Sequence, residues 1–432
     1  MYLGGGRVAK VRAMVLVPIL DPDTHLDRLM DAYADAVNFT IRVGVEQGVT
    51  SLGSLSSLCY RPLRQRLTLK SMHVASAIKH AVGILRSWRR RKRKGLPVES
   101  VPVFKGTSMR LHKQVHRVDV DTGVLRLSTA RGMRFYRIGV HKQVRRYEAS
   151  GWRRRESLLL RRGGKYYLAL CYEREVEPVP PEDVIGVDVN ENNVTVCLGD
   201  RVVMFVTHER EIRTAYWLKR RRIQSKIRTG KRREQLLAKY GRREKERMKH
   251  VYHVVAKTIV QFAVERRCAI ALENLKYIKK RIRYTREMTG RLHRWGARLF
   301  QRILAEKAER AGVAVLYVNP AHTSSLCPVC GHKLKESPKG QRVFVCPACG
   351  FEANRDVVGA INIRLRGLQK MGGATSAPDR PPMNPEAGIV RAVDVVDVLH
   401  PERVVGSTTS AALDGQVAQR SSQTALAGGG IQ

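Results

Sequence analysis

The chain has 432 residues, with 80 Lys and Arg against 38 Asp and Glu, so its formal net charge is +42. The segment after residue 370 holds 4 basic and 6 acidic residues, which leaves +44 on the first 370 residues. A body this basic repels itself unless a polyanion neutralises it, and nucleic acid is the expected partner because bound phosphates release counterions. A membrane surface is the weaker alternative, because the basic residues are spread over predicted helices and strands rather than along one amphipathic face.

No signal peptide and no membrane-spanning stretch can be recognised in the sequence. The longest early apolar run, residues 13–20, is short and contains Pro18, and no run approaches the ~20 residues of a membrane helix. We therefore expect a cytoplasmic protein without membrane partners, associated with the nucleoid when it is bound to DNA. In that reducing setting, paired cysteines favour metal binding over disulfide bonds.

The first 180 residues predict two kinds of structure. Residues 8–17 have the pattern of a strand, and residues 23–88 have the pattern of helices, because apolar side chains recur at helical spacing. The clearest apolar face comprises Leu26, Leu29, Met30, Tyr33 and Val37. The basic run 89–94 follows, which suits either a solvated helix end or a phosphate contact, and Gly95 ends it. Residues 101–176 are β-rich, and a proline-containing linker follows them.

The second half predicts an α/β domain. The expected strands are residues 184–189, 194–198, 202–206, 269–272 and 313–318, of which the first three form a meander. The expected helices are residues 208–266, a segment around Trp295, and residues 355–367. The tail from Gly372 is rich in Gly, Ser, Ala and Thr, and we expect it to be disordered except for residues 393–399, which have the pattern of a strand.

Two Cys-x-x-Cys pairs, Cys327 with Cys330 and Cys346 with Cys349, are separated by 15 residues, and each is followed by glycine. This spacing is typical of two knuckles that place four thiolates around one Zn²⁺ at ~2.3 Å per bond. Four protein ligands close the coordination shell, so we expect a structural zinc that helps to fold the module. A redox dithiol is the alternative interpretation.

Three acidic residues stand where a carboxylate is costly. Asp188 lies inside an apolar strand, Glu273 ends a second strand, and Asp356 begins the helix after the cysteine module. A buried carboxylate needs a partner or a metal ion, although each acid taken singly also has a structural explanation as a turn or helix cap. Their order along the chain, with a meander and helices between the first two, is the order of the ribonuclease-H-like fold.

In that fold the first two acids lie on neighbouring parallel strands and the third comes from a later helix, so all three converge. Converging carboxylates require cations, and Mg²⁺ suits oxygen ligands while it leaves positions for phosphate. Two ions ~3.5–4 Å apart can activate a water molecule and stabilise a leaving oxygen. We therefore predict Asp188, Glu273 and Asp356 as catalytic residues and magnesium ligands for phosphodiester hydrolysis.

The same residues resemble a known family. Residues 185–193, 271–275 and 355–363 resemble the three RuvC motifs of the TnpB (OrfB) proteins encoded by insertion sequences, and residues 322–332 resemble their Thr-Ser and Cys-x-x-Cys-Gly signature. Order and spacing agree over residues 183–366. The resemblance implies an RNA-guided DNA endonuclease related to type V CRISPR effectors, whose guide RNA from the transposon end pairs with the target DNA.

The resemblance also implies an α/β multidomain protein with a particular domain plan. The expected parts are a β-rich wedge-like domain at residues 1–25 and 97–180, a helical recognition domain at residues 26–96 that interrupts it, a RuvC-like nuclease domain at residues 181–322 and 353–368, an inserted zinc ribbon at residues 323–352, and a disordered tail at residues 369–432.

One position departs from the family. Val358 stands where the family usually has Asn, two residues after Asp356, while Asn362 keeps the later Asn of the motif. Three other functions stay open on sequence grounds. A nuclease-inactive RNA-guided DNA-binding regulator has the three intact acids against it, and a transposase that joins strands itself uses the same fold. A structural RNA-binding protein would have no use for the buried acids.

Overall fold

Helices and strands follow the apolar periodicity of the sequence through both halves of the chain. The chain divides into two units, one formed by Lys10–Glu175 and the other by Val176 onward together with the residues up to Ala9. These are the N-terminal unit and the C-terminal unit. The computed structural model describes residues 8–275, 285–334, 342–372, 392–399 and 404–408.

The N-terminal unit is built from two small sheets and four helices in the part of the chain that the structure describes. Its helices are α1 (Thr24–Glu46), α2 (Leu52–Arg66), α3 (Ser71–Arg93) and α4 (Lys142–Ala149). Its strands are β1 (Ala9–Pro18), β2 (Ser108–Leu111), β3 (His116–Asp119), β4 (Val124–Thr129), β5 (Gly132–Arg137), β6 (Arg153–Arg154), β7 (Ser157–Arg162) and β8 (Lys165–Val176). One sheet has the order β1–β8–β7–β2 with β6 paired to β8, and β3–β4–β5 form the other.

Helices and strands of this unit share one hydrophobic core. The predicted apolar face of α1 is buried along its length, and it belongs to the same cluster as side chains of α2, α3 and both sheets. The helix begins at a capping residue, because Asp23 Oδ1 accepts a hydrogen bond from Leu26 N at 3.0 Å. The segments predicted as a β domain and a helical domain are therefore packed together as one unit.

The C-terminal unit contains a seven-stranded mixed sheet and a separate pair of strands. Its strands are β9 (Asp183–Val189), β10 (Asn193–Cys197), β11 (Arg201–Val206), β12 (Cys268–Glu273), β13 (Val315–Val318), β14 (Val343–Val345), β15 (Glu352–Asn354), β16 (Ala392–Asp397) and β17 (Val404–Thr408). Its helices are α5 (Glu209–Lys226), α6 (Lys231–Glu265), α7 (Arg286–Arg294), α8 (Ala297–Arg310) and α9 (Arg355–Met371). The sheet has the order β13–β12–β9–β10–β11–β16–β17, and β14–β15 form a separate pair.

Helices cover both faces of this sheet. Strands β9, β10 and β11 form the predicted antiparallel meander, whereas β12 runs parallel to both β9 and β13. Successive side chains of a strand point to opposite faces. Ile185 and Val187 accordingly pack with α6 and α8, while Val184 packs with Ile363 of α9. Asp188 shares the α9 face with Val184.

The tail adds two strands to the sheet. Strand β16 forms where residues 393–399 have the pattern of a strand, and it pairs in parallel with β11, while β17 pairs with β16 in antiparallel orientation. The physical reason is apolar burial, because Val393 is 3% exposed and packs with Val202 of β11. The strand expected within residues 393–399 is therefore present at Ala392–Asp397, and Val404–Thr408 forms a second strand that the sequence did not predict.

Helix α6 is 35 residues long and amphipathic. Its length alone exceeds the thickness of a bilayer core, but its charged first half is incompatible with that environment. In the described parts of the chain, no helix combines the length and the apolarity that crossing a bilayer demands.

Gly186 lies where α9 crosses β9, and the crossing leaves no room for a side chain. A Cβ at this position would lie 2.2 Å from Ala360 O and 2.6 Å from Arg364 N, which are both backbone atoms of α9. We expect Gly186→Ala to push the helix away from the sheet and to lower the free energy of unfolding by about 2 kcal/mol. Chemical denaturation of the purified protein measures this change.

Gly241→Ala is the matched control for that substitution. Gly241 lies within α6, and a Cβ there would meet no atom within 4 Å. Because Ala has a higher helix propensity than Gly by about 1 kcal/mol, the control should be slightly more stable than the parent. Unchanged stability of Gly186→Ala would show that the position of α9 does not depend on this close approach.

Candidate active site

Three acidic side chains from separate parts of the sequence line one cleft of about 390 Å³. Asp188 comes from β9, Glu273 ends β12, and Asp356 lies in the first turn of α9. The structure thus brings together all three acids that the sequence predicted as catalytic, and their chemical role stays a prediction.

The register of two parallel strands explains why the first two acids lie side by side. Strands β9 and β12 run parallel, and Leu272 pairs with Val187. The next residues along the two strands are Glu273 and Asp188, so their side chains stand at the same level of neighbouring strands. The carboxyl ends of parallel strands share one edge of a sheet, which is a common position for binding sites in α/β folds.

Helix α9 supplies the third acid and approaches the first one closely. Asn354 caps the helix, because its side-chain oxygen accepts a hydrogen bond from Asp356 N at 2.9 Å. One turn later, a Cβ at Gly359 would lie 2.8 Å from Asp188 Oδ2. The missing side chain at Gly359 therefore lets the helix lie against the carboxylate of β9.

Each acid accepts a hydrogen bond from a neutral side chain that the sequence had not assigned to the site. Asn190 Nδ2 donates to Asp188 Oδ2 at 2.9 Å, and Asn193 Nδ2 donates to Asp356 Oδ2 at 2.8 Å. The third donor is Thr323 Oγ1, which lies 2.5 Å from Glu273 Oε1. The two asparagines lie within the first quoted motif and Thr323 within the cysteine signature, which is the signal that could have identified them.

Trp295 fixes one of these donors in place. Its indole Nε1 donates to Asn190 O at 3.1 Å, so the backbone of the residue that contacts Asp188 is tied to the start of α8. The sequence had marked Trp295 only as part of a helix. Its second role depends on a tertiary contact between segments about a hundred residues apart.

The electrostatics of the site disfavour negative charge. Burial raises the pKa of Asp188 well above its ordinary value, and the nearby carboxylates of Glu273 and Asp356 raise it further. Burial also raises the pKa of Glu273, against the lowering effects of the Thr323 hydrogen bond and the buried Arg366. Two carboxyl groups with raised pKa values face the same cleft. A bound cation would lower both pKa values, because it stabilises the ionised carboxylates.

The chemistry of the donors fits a hard divalent cation. Carboxylate oxygens are the ligands that Mg²⁺ prefers, and an open cleft leaves room for water and phosphate oxygens. Among the described residues, only the four cysteines form a group of at least three His, Cys, Asp or Glu side chains whose ligand atoms lie within 4.8 Å of one another. The three carboxylates are spaced more widely than that around the cleft.

The four predicted zinc ligands do converge. The ligand atoms of Cys327, Cys330, Cys346 and Cys349 all lie within 4.8 Å of one another, so this cluster could hold a metal ion. The sulfur of Cys327 is 3.6 Å from that of Cys349, and the sulfur of Cys330 is 3.5 Å from that of Cys346. Four soft sulfur donors at this spacing suit a tetrahedral Zn²⁺ site.

The two knuckles have the same backbone geometry. Gly331 N donates to Cys327 O and Gly350 N donates to Cys346 O, both at 2.9 Å. Both glycines have a φ near 72°, at 72° and 73°, which a residue with a side chain rarely adopts. Although burial raises the pKa of Cys346, backbone N–H groups at residues 348 and 349 lower it to about 7, which favours the thiolate that zinc requires.

Val358 packs against the zinc module and not into the cleft. It is fully buried and belongs to a hydrophobic cluster with Cys327, Phe344 and Cys346. The position where the family usually has Asn therefore serves here as an apolar contact between α9 and the cysteine module. This placement explains why the departure leaves the three acids and their hydrogen bonds in place.

Asn362 connects the same helix to Thr323. Its buried Nδ2 donates to Thr323 O at 2.7 Å and to Leu326 O at 2.8 Å. The segment that enters the cysteine module is thereby held against α9. Because Thr323 also donates to Glu273, one residue of α9 helps to set the position of an acid on β12.

Removal of the charge at Asp188 should stabilise the protein when divalent cations are absent. The raised pKa means that the folded state binds more protons than the unfolded state above pH ~4, the ordinary pKa of Asp. The free energy of unfolding therefore falls as pH rises through that window. In EDTA at neutral pH, we expect Asp188→Asn to raise the thermal midpoint by at least about 2 °C, and Mg²⁺ should stabilise the parent more than the variant.

Glu234→Gln provides the control for this measurement, because Glu234 is an exposed acid on α6. It should change neither the thermal midpoint in EDTA nor its response to Mg²⁺ by more than a small amount. A lower midpoint for Asp188→Asn than for the parent at neutral pH would contradict the argument that its charge is destabilising.

Replacement of Val358 by Asn, the residue usual in the family, should destabilise the cysteine module. Val358→Asn buries an amide among apolar side chains and sulfur atoms, at a cost of about 1–3 kcal/mol. We expect the variant to lose zinc more readily on titration with a chelator, measured as metal content by atomic emission. Val345→Asn is the control, since Val345 lies in the same module but is 53% exposed. Equal zinc retention in the two variants would exclude the packing role of Val358.

Two family models match separate parts of this chain. A family model described as Cas12f1-like, TNB domain matches residues 298–363, and one described as Uncharacterized protein MJ0013 family matches residues 29–128. A TnpB-like protein of Methanocaldococcus jannaschii is 31% identical over 205 residues, which cover 45% of this chain and 73% of the relative. The CRISPR-associated endodeoxyribonuclease Cas12f1 of Sulfoacidibacillus thermotolerans is 34% identical over 121 residues, covering 28% of this chain and 27% of that protein.

The fold resembles that of Cas12f1. A cryo-EM structure of a Cas12f1–sgRNA–target DNA complex matches with a TM-score of 0.52 at 14% identity, over 79% of this chain and 82% of the Cas12f1 chain. At that identity the match concerns the fold alone. The match to the relative from M. jannaschii covers 73% of that relative at 31% identity. This similarity decides the assignment, and the chain belongs to the TnpB family.

Proposed function

We propose that this protein is an RNA-guided DNA endonuclease of an insertion sequence, in which Asp188, Glu273 and Asp356 hold the Mg²⁺ ions needed to hydrolyse a phosphodiester bond. The observation that carries the proposal is the convergence of these acids on one open cleft. The similar proteins support it by name, since one is an endodeoxyribonuclease and another is solved with sgRNA and target DNA.

The strand order supports a RuvC-like, ribonuclease-H-like assignment for the nuclease domain. An antiparallel meander is extended on one side by two parallel strands, and the acids come from the first strand, the first added strand and a later helix. On this basis we propose a nuclease domain at residues 181–322 and 353–368 and a zinc ribbon at residues 323–352. A wedge-like function for the β strands of the N-terminal unit is part of the same proposal.

The neutral donors keep the three acids oriented. Asn190, Asn193 and Thr323 each donate to a different carboxylate, so each acid has one oxygen fixed and retains lone pairs for a cation. When bound, two divalent cations supply the Lewis acidity and the activated water for an in-line displacement.

Arginine side chains in the same cleft attract the substrate. Arg210, Arg342 and Arg355 line the cleft together with the acids, and Arg342 Nη1 lies 4.0 Å from Asp356 Oδ2. Guanidinium groups bind phosphate oxygens in a planar, two-pronged geometry. A phosphodiester therefore meets cationic groups at the rim and carboxylates at the floor of one cleft.

The charge of the chain fits a guided enzyme. Residues 208–247, which form α5 and the first part of α6, hold 16 basic and 5 acidic residues. Positive surfaces hold nucleic-acid backbones without reading bases, so sequence selection falls to pairing between guide RNA and target. We propose the transposon-end RNA and the DNA target as partners, Zn²⁺ as a structural ion, and maintenance of the transposon as the biological role.

Guided cleavage of a plasmid library tests the proposal. The protein, purified with co-expressed transposon-end RNA, is incubated with a guide-matched target beside randomised flanks, in Mg²⁺ and in EDTA. We expect Mg²⁺-dependent cleavage next to one enriched flank and its absence in Asp188→Ala, which removes a metal ligand. Binding without cleavage would support the nuclease-inactive regulator, and joined strands or cleavage without the guide would support a transposase or a general nuclease.

Thr323 gives a finer test of how the acids are positioned. Thr323→Val removes the hydroxyl that donates to Glu273 while keeping the shape of the side chain. We expect roughly 10–100-fold slower cleavage, the usual effect of removing a group that orients a metal ligand. Thr323→Ser keeps the hydroxyl and should retain most activity. Equal rates for the Val and Ser variants would remove Thr323 from the site.

A further inference from the structure

A basic and aromatic groove lies beside the cleft in the C-terminal unit. Its volume is about 760 Å³, and helices α5 and α7 form its walls. The residues that line it are Arg210, Thr214, Trp217, Arg221, Gly290, Arg291 and Arg294. Four of the seven are arginines and none is acidic, so the groove presents positive charge around one indole ring.

The groove continues into the catalytic cleft. Arg210 lines both of them. A small pocket between them shares Thr214 and Arg294 with the groove, and it shares Glu191 and Trp295 with the cleft. The groove is therefore adjacent to the cleft that the three carboxylates line.

Trp217 organises the positive charge of the groove. The guanidinium of Arg221, one turn later on α5, lies 5.1 Å from the ring centroid, and that of Arg294, from α7, lies 5.4 Å from it. Both distances are within the range of a cation–π interaction. Within the described part of the chain, neither Arg221 nor Arg294 forms an ion pair with a carboxylate, so their charge is available to a ligand.

Two neighbouring arginines form ion pairs with glutamates instead. Arg213 contacts Glu209 at 2.6 Å and Glu244 at 3.1 Å, and it is three-quarters or more buried at its side chain. Arg291 pairs with Glu191 at 3.1 Å. These ion pairs hold the helices together, whereas the guanidiniums over Trp217 are stacked on an aromatic ring and left without an acidic partner. We therefore assign Arg221 and Arg294 to a binding surface, whereas the ion-paired Arg213 and Arg291 stabilise the packing of the helices.

We propose that this groove binds single-stranded DNA on its way to the cleft, with Trp217 and its two stacked arginines holding one nucleotide. The inference rests on the proposed nuclease function and adds a substrate subsite to it. Cationic grooves that contain aromatic side chains bind single strands, because phosphates meet the charges and unpaired bases stack on the rings. Guanidinium planes also stack on bases while their edges donate to phosphate.

A second cation–π stack, between α5 and α6, provides a control. Tyr240 of α6 has Lys219 at 4.9 Å and Arg243 at 5.8 Å from its ring centroid, but it does not line the groove. The chemistry of the two stacks is alike, and only their location relative to the cleft differs. Tyr240→Ala therefore measures what the loss of any aromatic stack on this basic surface does.

The experiment measures the affinity of the RNA-bound protein for a short fluorescein-labelled oligothymidylate by anisotropy, in an Asp188→Ala background that cannot cut it. We expect Trp217→Ala to weaken binding roughly tenfold, Trp217→Phe to retain most of the affinity, and Tyr240→Ala to match the parent. In the Arg221→Ala, Arg294→Ala double variant, the slope of log affinity against log salt should fall by roughly 0.7 for each lost phosphate contact.

Parent-like affinity and salt dependence of the Trp217 and arginine variants would overturn the inference, and so would an equal loss in Tyr240→Ala. Reduced guide-RNA content in the Trp217→Ala complex would also overturn it, since the groove would then hold RNA. Thermal melting confirms that each variant is folded, and Trp217→Phe keeps the test valid if the alanine variant is not. These results are distinct from guided plasmid cleavage by the parent, which tests the proposed function itself.

Discussion

Asp188 is a carboxylate inside a sheet strand, 9% exposed, with Glu273 at the same level of the neighbouring strand. Two like charges in that setting repel each other and are poorly solvated, which is why burial raises the pKa of both. The rest of the C-terminal unit is arranged around this unfavourable pair. The parallel register creates the pair, Gly359 leaves room for Asp188, and two neutral donors, Asn190 and Thr323, orient the two carboxyl groups without cancelling their charge.

The cysteine module takes part in this arrangement although it holds none of the acids. Val358 and Asn362 lie one turn apart on the same face of α9 and both contact the module, Val358 through apolar packing and Asn362 through buried hydrogen bonds. Thr323, at the entrance to the module, reaches Glu273. A metal bound by the four cysteines would thus help to place a hydroxyl against a carboxylate on the central sheet. The cysteine cluster and the acids are coupled by these contacts without a shared side chain.

The features that could be predicted from the sequence are those that depend on residues close together along the chain. Apolar runs located β9 and β12, the two Cys-x-x-Cys pairs located the thiolates, and the costly position of Asp188 marked the site. It could not reveal which side of α9 Val358 occupies, because a helix residue next to an acid can face the site or a neighbouring module. The contact of Thr323 with Glu273 and the pairing of β16 with β11 depend on long-range packing. Local periodicity carries no signal for either.

Strand β16 has a consequence for how the gene can be shortened or fused. It covers the edge of β11 with a parallel strand whose residues lie more than 20 positions beyond the end of α9. A chain that ends at Met371 keeps every acid and every cysteine of the proposed sites, yet it leaves the backbone amides of β11 unpaired. Exposed strand edges of this kind promote association between copies. A shortened chain therefore keeps this edge of β11 covered only if it includes the segment through Thr408.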